Sequence, residues 1–464
     1  MTPPAAYRDI PSLDTLLADP ALTVLVERFG REAVVSAARA VLDDVRTEIG
    51  AAGPAPDVSA AALAARTGTR LDRRFAPSLA PAVNATGVIM HSGLGRAVLS
   101  GAAADALAAV ASGYSTLALD LGSGLRVSRD RHVESLLREL TGAEAATVAN
   151  NNAAATVLIL NTLARGREVV VSRGQLVEIG GSFRMPDVMA TSGAVLREVG
   201  TTNKTHLRDY EAAVSDSTGA ILRVHHSNYR IVGFAEEPPI EALVALGRSR
   251  GVPVIDDIGS GALVDLARFG LATEPLVPVS VKAGADVVCF SGDKLIGGPQ
   301  SGLIVGRAEA IQKIRKNPLA RAFRCGKLSL AALEATLKLF LAPDKLTERH
   351  PIYRMLAATP AELESRGSRL AAALRQSLPG SATITVENGE SQVGSGAVPV
   401  ETLPSKVLAV RAPHISPEDL ARRLRLGTPP VFARIHKDAV LFDLRTIQPG
   451  EEVLVERALK DVLK

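Results

Sequence analysis

Lys294 has the most chemically telling surroundings in the chain. It stands in CFSGDKLIGGPQSGLIVG, residues 289–306, shortly after an apolar run that ends at Phe290. Gly297-Gly298-Pro299 and a second apolar run follow. In an open α/β sheet, ligands gather beyond the carboxyl ends of the strands. A lysine there, among small residues, suits a Schiff base with a carbonyl cofactor better than it suits a solvated surface. Ser291 and Lys294 make a Ser-x-x-Lys unit at that strand end. The segment is not a phosphate loop of the Gly-Lys-Ser or Gly-Lys-Thr kind, because neither tripeptide occurs. Gly93-Leu94-Gly95 is not a dinucleotide fingerprint, because Val98 takes the third glycine position.

Three further segments supply partners for such a cofactor. PVIDDIGSGAL, residues 253–263, ends an apolar strand in Asp256 and Asp257. A carboxylate there can sit against a pyridinium nitrogen, keeping it protonated and the ring electron-poor. Strand-end register favours Asp256 for that place, with Asp257 as the alternative. HHSNYRIVGF, residues 225–234, puts Asn228 after a strand, where its amide can bond a phenolic oxygen of the cofactor. The adjacent His225 and His226 lack both the helical i,i+4 spacing and the nearby thiolates of a metal site, so no metal is expected. In ATVANNNAAATVLIL, residues 146–160, a strand runs through Asn150, Asn151 and Asn152 into an alanine-rich helix. Backbone N–H groups at such a helix start bind phosphate. Asparagines also cap helices with no ligand present. Ser291 and Lys294 downstream favour the phosphate reading.

These residues need a sheet to hold them in register. Seven short β-branched runs recur between about 81 and 345, at 146–150, 168–172, 195–199, 220–224, 252–256, 286–290 and 302–306. Runs apolar on both faces, with helical stretches between them, predict a parallel sheet covered by helices. The predicted fold is α/β, with three domains: residues 1–80, 81–345 and 346–464. The first reads as helical, from apolar spacings of three and four in SLDTLLADPALTVLVERFG and REAVVSAARAVLDDVRTEIG. Gly50 and AAGPAP stop the second of these helices, a shorter helix follows near SAAALAARTG, and RTGTRLDRR belongs to the connection to the sheet. The last domain reads as small and α+β. KVLAVRA, VFARIHKD and AVLFDLRTI are its strands, AELESRGSRLAAALRQSL is a helix, and SPEDLARRLR is a second helix opened by Ser416 and Pro417.

Composition excludes several classes. Hydrophobic residues are 47% and charged residues 22% of the 464, as in a folded soluble protein. Aromatics are 3% and Trp is absent, against a nucleic-acid binder that stacks bases on aromatic platforms. A net charge of +4 permits an anionic partner without requiring one. Cys289 and Cys325 are too few for a disulfide framework. MTPPAAYRDI is not a signal peptide and no apolar run spans a membrane, so the expected location is cytoplasmic.

The order phosphate cup, Asn, Asp and Ser-x-x-Lys resembles that of the fold-type-I pyridoxal-phosphate enzymes of the aminotransferase superfamily. Longer motifs narrow the resemblance. VNATGVIMHSGLGRA, VANNNAAA, RGQLVEIGGSFRMPDVM, EVGTTNKTHLRDY, DDIGSGALVDL, FSGDKLIGGPQSGLIVG and LARAFRCGKLSL resemble the bacterial selenocysteine synthases, the L-seryl-tRNA(Sec) selenium transferases. The match runs almost end to end. Its opening PSLDTLLADPALTVLVERFGREAVVSAARAVL is similar to that family's tRNA-binding helical domain.

This resemblance implies an aminotransferase-like fold of type I and pyridoxal 5′-phosphate held by Lys294, with Asp256, Asn228, Ser291, Asn151 and Asn152 around it. It implies a transferase of selenocysteine biosynthesis: seryl-tRNA(Sec) loses water by β-elimination, and selenium from selenophosphate adds to an aminoacrylyl intermediate. Lys294 would take the α-proton, with Asp293 assisting proton transfer or orienting a basic group. Arg96, Arg321 and Arg324 match positions that bind the anionic donor. Arg129 matches an active-site arginine, with Arg126 and Arg131 competing for the alignment. The family forms a ring-shaped homodecamer. Ser92-Gly93 departs from the threonine and asparagine common there. Two other functions fit less of the chain. A related lyase acting on a small amino acid or amino sugar phosphate would usually lack the N-terminal helices. A non-catalytic tRNA-binding protein would not need Lys294, Asp256 and Ser291.

Overall fold

The computed structural model describes residues 5–51, 56–180, 183–272 and 274–464. The Gly53-Pro54 stop of AAGPAP lies outside them. The chain divides into two units, Met1–Pro81 and Ala82–Lys464.

Helices make the first unit because three of their starts carry side-chain caps and their apolar residues recur on one face. Ser12 caps Leu13–Leu17 by accepting from Thr15 N–H, and Asp19 caps Pro20–Phe29 by accepting from Ala21 N–H. Arg31–Gly50 and Ala60–Phe75 follow. The last of these runs on through RTGTRLDRR, which was expected to be connection. Leu71 explains the difference: it is fully buried and packs with Leu63, Leu22 and Val41, so the helix gains by continuing. Apolar burial of this kind contributes roughly 1.5–3 kcal/mol per large side chain.

In the second unit the seven expected runs form one sheet. They are β1 (Ala145–Ala149), β2 (Glu168–Ser172), β3 (Val195–Val199), β4 (Thr218–Val224), β5 (Val254–Gly259), β6 (Val287–Ser291) and β7 (Gly302–Gly306). The spatial order is β1-β7-β6-β5-β4-β2-β3. All neighbours are parallel except β7, which is antiparallel to both β1 and β6. Strands β1, β6 and β7 are buried along their whole length. Strand β3 differs from expectation: Arg197 and Glu198 belong to an exposed edge, and Val195 is 51% exposed.

A second, five-stranded sheet lies toward the C-terminus in sequence. Its order is Val83–Ala85, Val431–His436, Ala439–Asp443, Leu403–Arg411, Thr383–Ser391. Val83–Ala85 comes from the other end of this unit and pairs in parallel with Val431–Ala433. Helices Pro360–Ser377, Pro417–Arg425 and Glu452–Leu463 bury Leu374, Leu420 and Val455 with Phe442 and Leu408 of the sheet. Ser416 caps the middle helix by accepting from Asp419 N–H, with Pro417 at the first helical position. Among the described residues no helix is long and apolar enough to cross a membrane, and no cluster of His, Cys, Asp and Glu could hold a metal ion.

Candidate active site

The carboxyl ends of β1, β4, β5 and β6 open on one edge of the large sheet, and a cavity of about 350 Å³ lies there. Lys294 follows β6 by three residues and is 8% exposed. Burial pushes its amine below the ordinary lysine value, and the Arg96 guanidinium adds to that. The carboxylates of Asp257, Asp293 and Glu274 act in the opposite sense.

Asn151, Asn152, Ser291 and Asp293 all line this cavity with Lys294. Asn151 caps the helix Asn152–Ala164 by accepting from Ala154 N–H at 2.8 Å. The start of this helix therefore faces the cavity. Arg96 lines it too, and its Nη1 donates to Asp293 Oδ2 at 2.7 Å. Arg96 adopts a left-handed backbone with φ of 62°, a conformation uncommon outside glycine. That turn brings the guanidinium to Asp293 across 197 residues of sequence.

Two expected partners are elsewhere. Asp256 points away from the cavity, toward Arg223 at 3.4 Å and Ser280. Asp257 lines the cavity instead, because successive residues of a strand face opposite sides. Its Oδ1 accepts from Asn152 Nδ2 at 2.8 Å and its Oδ2 from Thr156 Oγ1 at 2.9 Å. Burial raises the Asp257 carboxyl, while Asn152, Thr156 and Lys294 draw it down. Asn228 is exposed and donates to the Glu178 carbonyl; His225 and Ser227, just before it, form the wall.

The remaining arginines lie in a different place on this chain. Arg129, Arg321 and Arg324 line a second cavity of about 410 Å³, together with Arg126 and Arg315. Arg315 pairs with Glu134 at 2.7 Å. Arg129 Nη1 donates to the Cys325 carbonyl at 3.0 Å. Arg129 and Arg321 repel the Arg324 guanidinium and lower its proton affinity. This cavity presents several cations and few anions.

Motif reading missed three parts of the Lys294 wall. Val177, Phe183 and Met185 come from a short ribbon and helix start between β2 and β3. His225 was weighed only as a metal ligand, though an imidazole at a strand end is itself a signal. Gly396 comes from a loop before the last strands. A Cβ there would lie 3.1 Å from Lys294 Nζ, and one at Gly259 would lie 3.8 Å away. Glycine keeps the space around the amine open.

The turn after Lys294 is held from behind. Tyr353 donates to the Leu295 carbonyl at 3.1 Å, and His350 Nε2 meets the Ile296 carbonyl at 2.9 Å. A carbonyl only accepts, so this nitrogen carries the proton. Gly297 has φ of +70°, and a Cβ there would lie 2.0 Å from the His350 ring. Burial holds the His350 imidazole down to about 4, below an ordinary 6.5. Between these values the unfolded chain binds a proton that the folded chain does not. Stability therefore falls as pH drops through this window, by about 3 kcal/mol from this group. Denaturant midpoints between pH 7 and pH 4 are expected to show that fall. His350→Gln is expected to be less stable at pH 7 and to lose that share of the pH slope.

Comparison with known proteins agrees with this architecture. The family model for L-seryl-tRNA selenium transferase matches residues 82–448, and that for the selenocysteine synthase N terminus matches residues 7–46. An L-seryl-tRNA(Sec) selenium transferase of Methylocella silvestris is 49% identical over 443 residues, 95% of this chain and 94% of its own. One from Alkaliphilus metalliredigens is 52% identical over 387 residues, 83% of each chain. A solved D-glucosaminate-6-phosphate ammonia-lyase, 21% identical, superposes with a TM-score of 0.57 over 84% of this chain and 97% of its own. That likeness shows the fold, which is the aminotransferase-like fold of type I. By the extent of the family match and the identity along nearly its whole length, this chain belongs to the L-seryl-tRNA(Sec) selenium transferase family.

Proposed function

We infer that this protein converts seryl-tRNA(Sec) to selenocysteinyl-tRNA(Sec), with pyridoxal 5′-phosphate as cofactor and selenophosphate as selenium donor. The observation that carries the inference is a buried lysine, in a chain of this family, at a strand-end cavity with a helix start and a buried carboxylate. The donor set fits the cofactor. Lys294 would hold its aldehyde carbon, and Asp257, rather than Asp256, its ring nitrogen. The helix start at Asn151 and Asn152, with Ser291, would hold its phosphate. Gly396 and Gly259 leave room beside the amine. Bound there, the cofactor supplies an electron sink for the substrate's α-carbon.

The chain's own residues do the rest. A buried amine with lowered proton affinity is a ready base, so Lys294 takes the α-proton. Asp293 holds the Arg96 guanidinium at the cavity, which favours an orienting role over proton transfer. Arg96 gives the anionic donor a fixed positive charge beside the reacting carbon. Arg321, Arg324 and Arg129 form a second anion-attracting cavity. We assign Arg321 and Arg324 to the donor, which requires a second copy of the chain to bring this cavity toward a Lys294 site. Tyr114, Leu121 and Leu125 are strongly exposed beside the chain segment that carries Arg126 and Arg129, as a subunit interface requires. A homodecamer, a tRNA-binding role for residues 1–80 and a cytoplasmic location complete the reading.

The test is selenium transfer from labelled selenophosphate to seryl-tRNA(Sec). Wild type is expected to form labelled aminoacyl-tRNA. A charge-assisted hydrogen bond is worth about 1.5–3 kcal/mol, so Arg321→Ala or Arg324→Ala is expected to weaken donor use roughly ten- to a hundredfold. Loss of water from seryl-tRNA, measured without donor, is expected to change little. If both steps fall together, these arginines serve the tRNA or the fold instead.

A further inference from the structure

His225 is the one histidine in the described wall of the Lys294 cavity, and it also lines a neighbouring cavity of about 380 Å³. Its Nε2 lies 3.0 Å from Oε2 of Glu274, whose side chain is 3% exposed. The other oxygen of Glu274 accepts from Val398 N–H at 2.5 Å. The carboxylate is thus oriented from the far side and turned toward the imidazole. Apart from this close approach, neither His225 Nε2 nor Glu274 Oε2 has a hydrogen-bond partner among the described residues. Burial alone would raise the Glu274 carboxyl, but His225, Val398 N–H and Ser260 more than offset it and keep it below its ordinary value. A buried carboxylate held against an imidazole fixes the orientation of the ring.

The other described carboxylates of the Lys294 cavity are committed. Asp257 accepts from Asn152 and Thr156, and Asp293 accepts from Arg96. Ser227 and Ser291 are hydroxyls, too weakly acidic to give up a proton near neutral pH. Asp256, on the adjoining strand, is turned to Arg223. In the neighbouring cavity His226 is paired with Glu237 at 3.2 Å, and Arg230 lies 3.7 Å from Glu401. Imidazole is the side chain suited to carry a proton at this pH.

We propose that His225 is the acid that protonates the departing β-oxygen of the seryl group, and that Glu274 is the positioning residue that holds its ring. The proposal rests on the seryl-tRNA reading above. The α-proton passes to the Lys294 amine, and the electron pair it leaves becomes the Cα–Cβ π bond. The Cβ–O bond breaks with its pair on oxygen, the His225 proton forms the new O–H bond, and one water leaves. His225 is left neutral and regains its proton from solvent through the neighbouring cavity, whose wall includes the exposed Arg230 and Glu236.

The experiment compares two leaving groups on the same tRNA, using the full-length, cofactor-loaded enzyme. Seryl-tRNA needs a proton to release water; β-chloroalanyl-tRNA releases chloride without one. His225→Gln is expected to slow elimination from the seryl substrate by about 10²-fold or more, the range for a lost general acid. It is expected to stay within about threefold of wild type on the chloro substrate. Glu274→Gln is expected to slow the seryl substrate roughly tenfold with KM unchanged, and Glu274→Asp to recover part of that. Cofactor absorbance and thermal midpoint are expected to match wild type in each variant. Equal slowing of both substrates overturns the proposal. A measurement on wild type alone decides the matter if the variants fold poorly. Elimination of water is expected to show a solvent deuterium isotope effect that elimination of chloride lacks, and equal effects overturn the proposal. Wild type inactive on seryl-tRNA would overturn the function reading itself; turnover with equal slowing overturns only the role of His225.

Discussion

Lys294→Ala is expected to abolish turnover, by at least about 10⁴-fold, because in the function proposed above one side chain both holds the cofactor and moves the α-proton. The protein is expected to remain folded. The amine is buried at a cost in desolvation, and its removal relieves that cost rather than breaking a core contact. Wild type reduced with borohydride is expected to carry the cofactor on the peptide containing Lys294. The lysines that could compete are differently placed. Lys327 donates to the Gly113 carbonyl at an exposed site, and Lys282 is exposed on a helix. An adduct on either would refute the assignment of Lys294.

The second large effect separates two adjacent carboxylates. Asp257→Asn is expected to lower activity by about 10²–10³-fold, as when one preorganised electrostatic partner is lost at a reacting site. An amide can no longer stabilise a protonated ring nitrogen, and it also faces Asn152 Nδ2 and Thr156 Oγ1 with half the acceptors. Asp256→Asn is expected to act mainly on stability, since it leaves Arg223 without its buried partner. Cofactor absorbance separates the two: it is expected to shift in the Asp257 variant and stay unchanged in the Asp256 variant. The reverse pattern would restore the register expected from sequence.

That register error shows where sequence reading stops. VPVIDDIGSG is a run in which every position is buried or nearly so, and nothing local tells which face of β5 meets the cavity. A shift of one residue exchanges the two faces, and only neighbouring strands and the helix Asn152–Ala164 decide it. The parts that were legible were those with local causes. Lys294 and Ser291 follow an apolar run and precede glycines. Asn151 caps a helix that its own sequence begins. Six of the seven strands of the large sheet were legible because both faces are covered, which leaves unbroken β-branched runs; the edge strand β3 was legible only from Val195, Leu196 and Val199. Thr383–Ser391 was not, because Glu387, Asn388 and Gly389 interrupt its pattern where it pairs only on one side. Val83–Ala85 has three residues and a partner near residue 431, so its strand character comes from pairing rather than propensity. Asn228 was misplaced by a turn, and Glu274 reaches His225 only through tertiary folding. The arginine cavity was legible as residues but not as a place. Family resemblance put Arg321 and Arg324 with Arg96, whereas a single chain holds them in different cavities.

The central claim is that this protein exchanges the β-oxygen of a tRNA-borne serine for selenium. The most direct measurement is the mass of the amino acid released from seryl-tRNA(Sec) after incubation with wild-type protein and selenophosphate. Selenocysteine is expected in place of serine, with no turnover of free serine or of an amino sugar phosphate under the same conditions. Recovery of unchanged serine from the tRNA, together with turnover of a free amino acid or amino sugar phosphate, would contradict it.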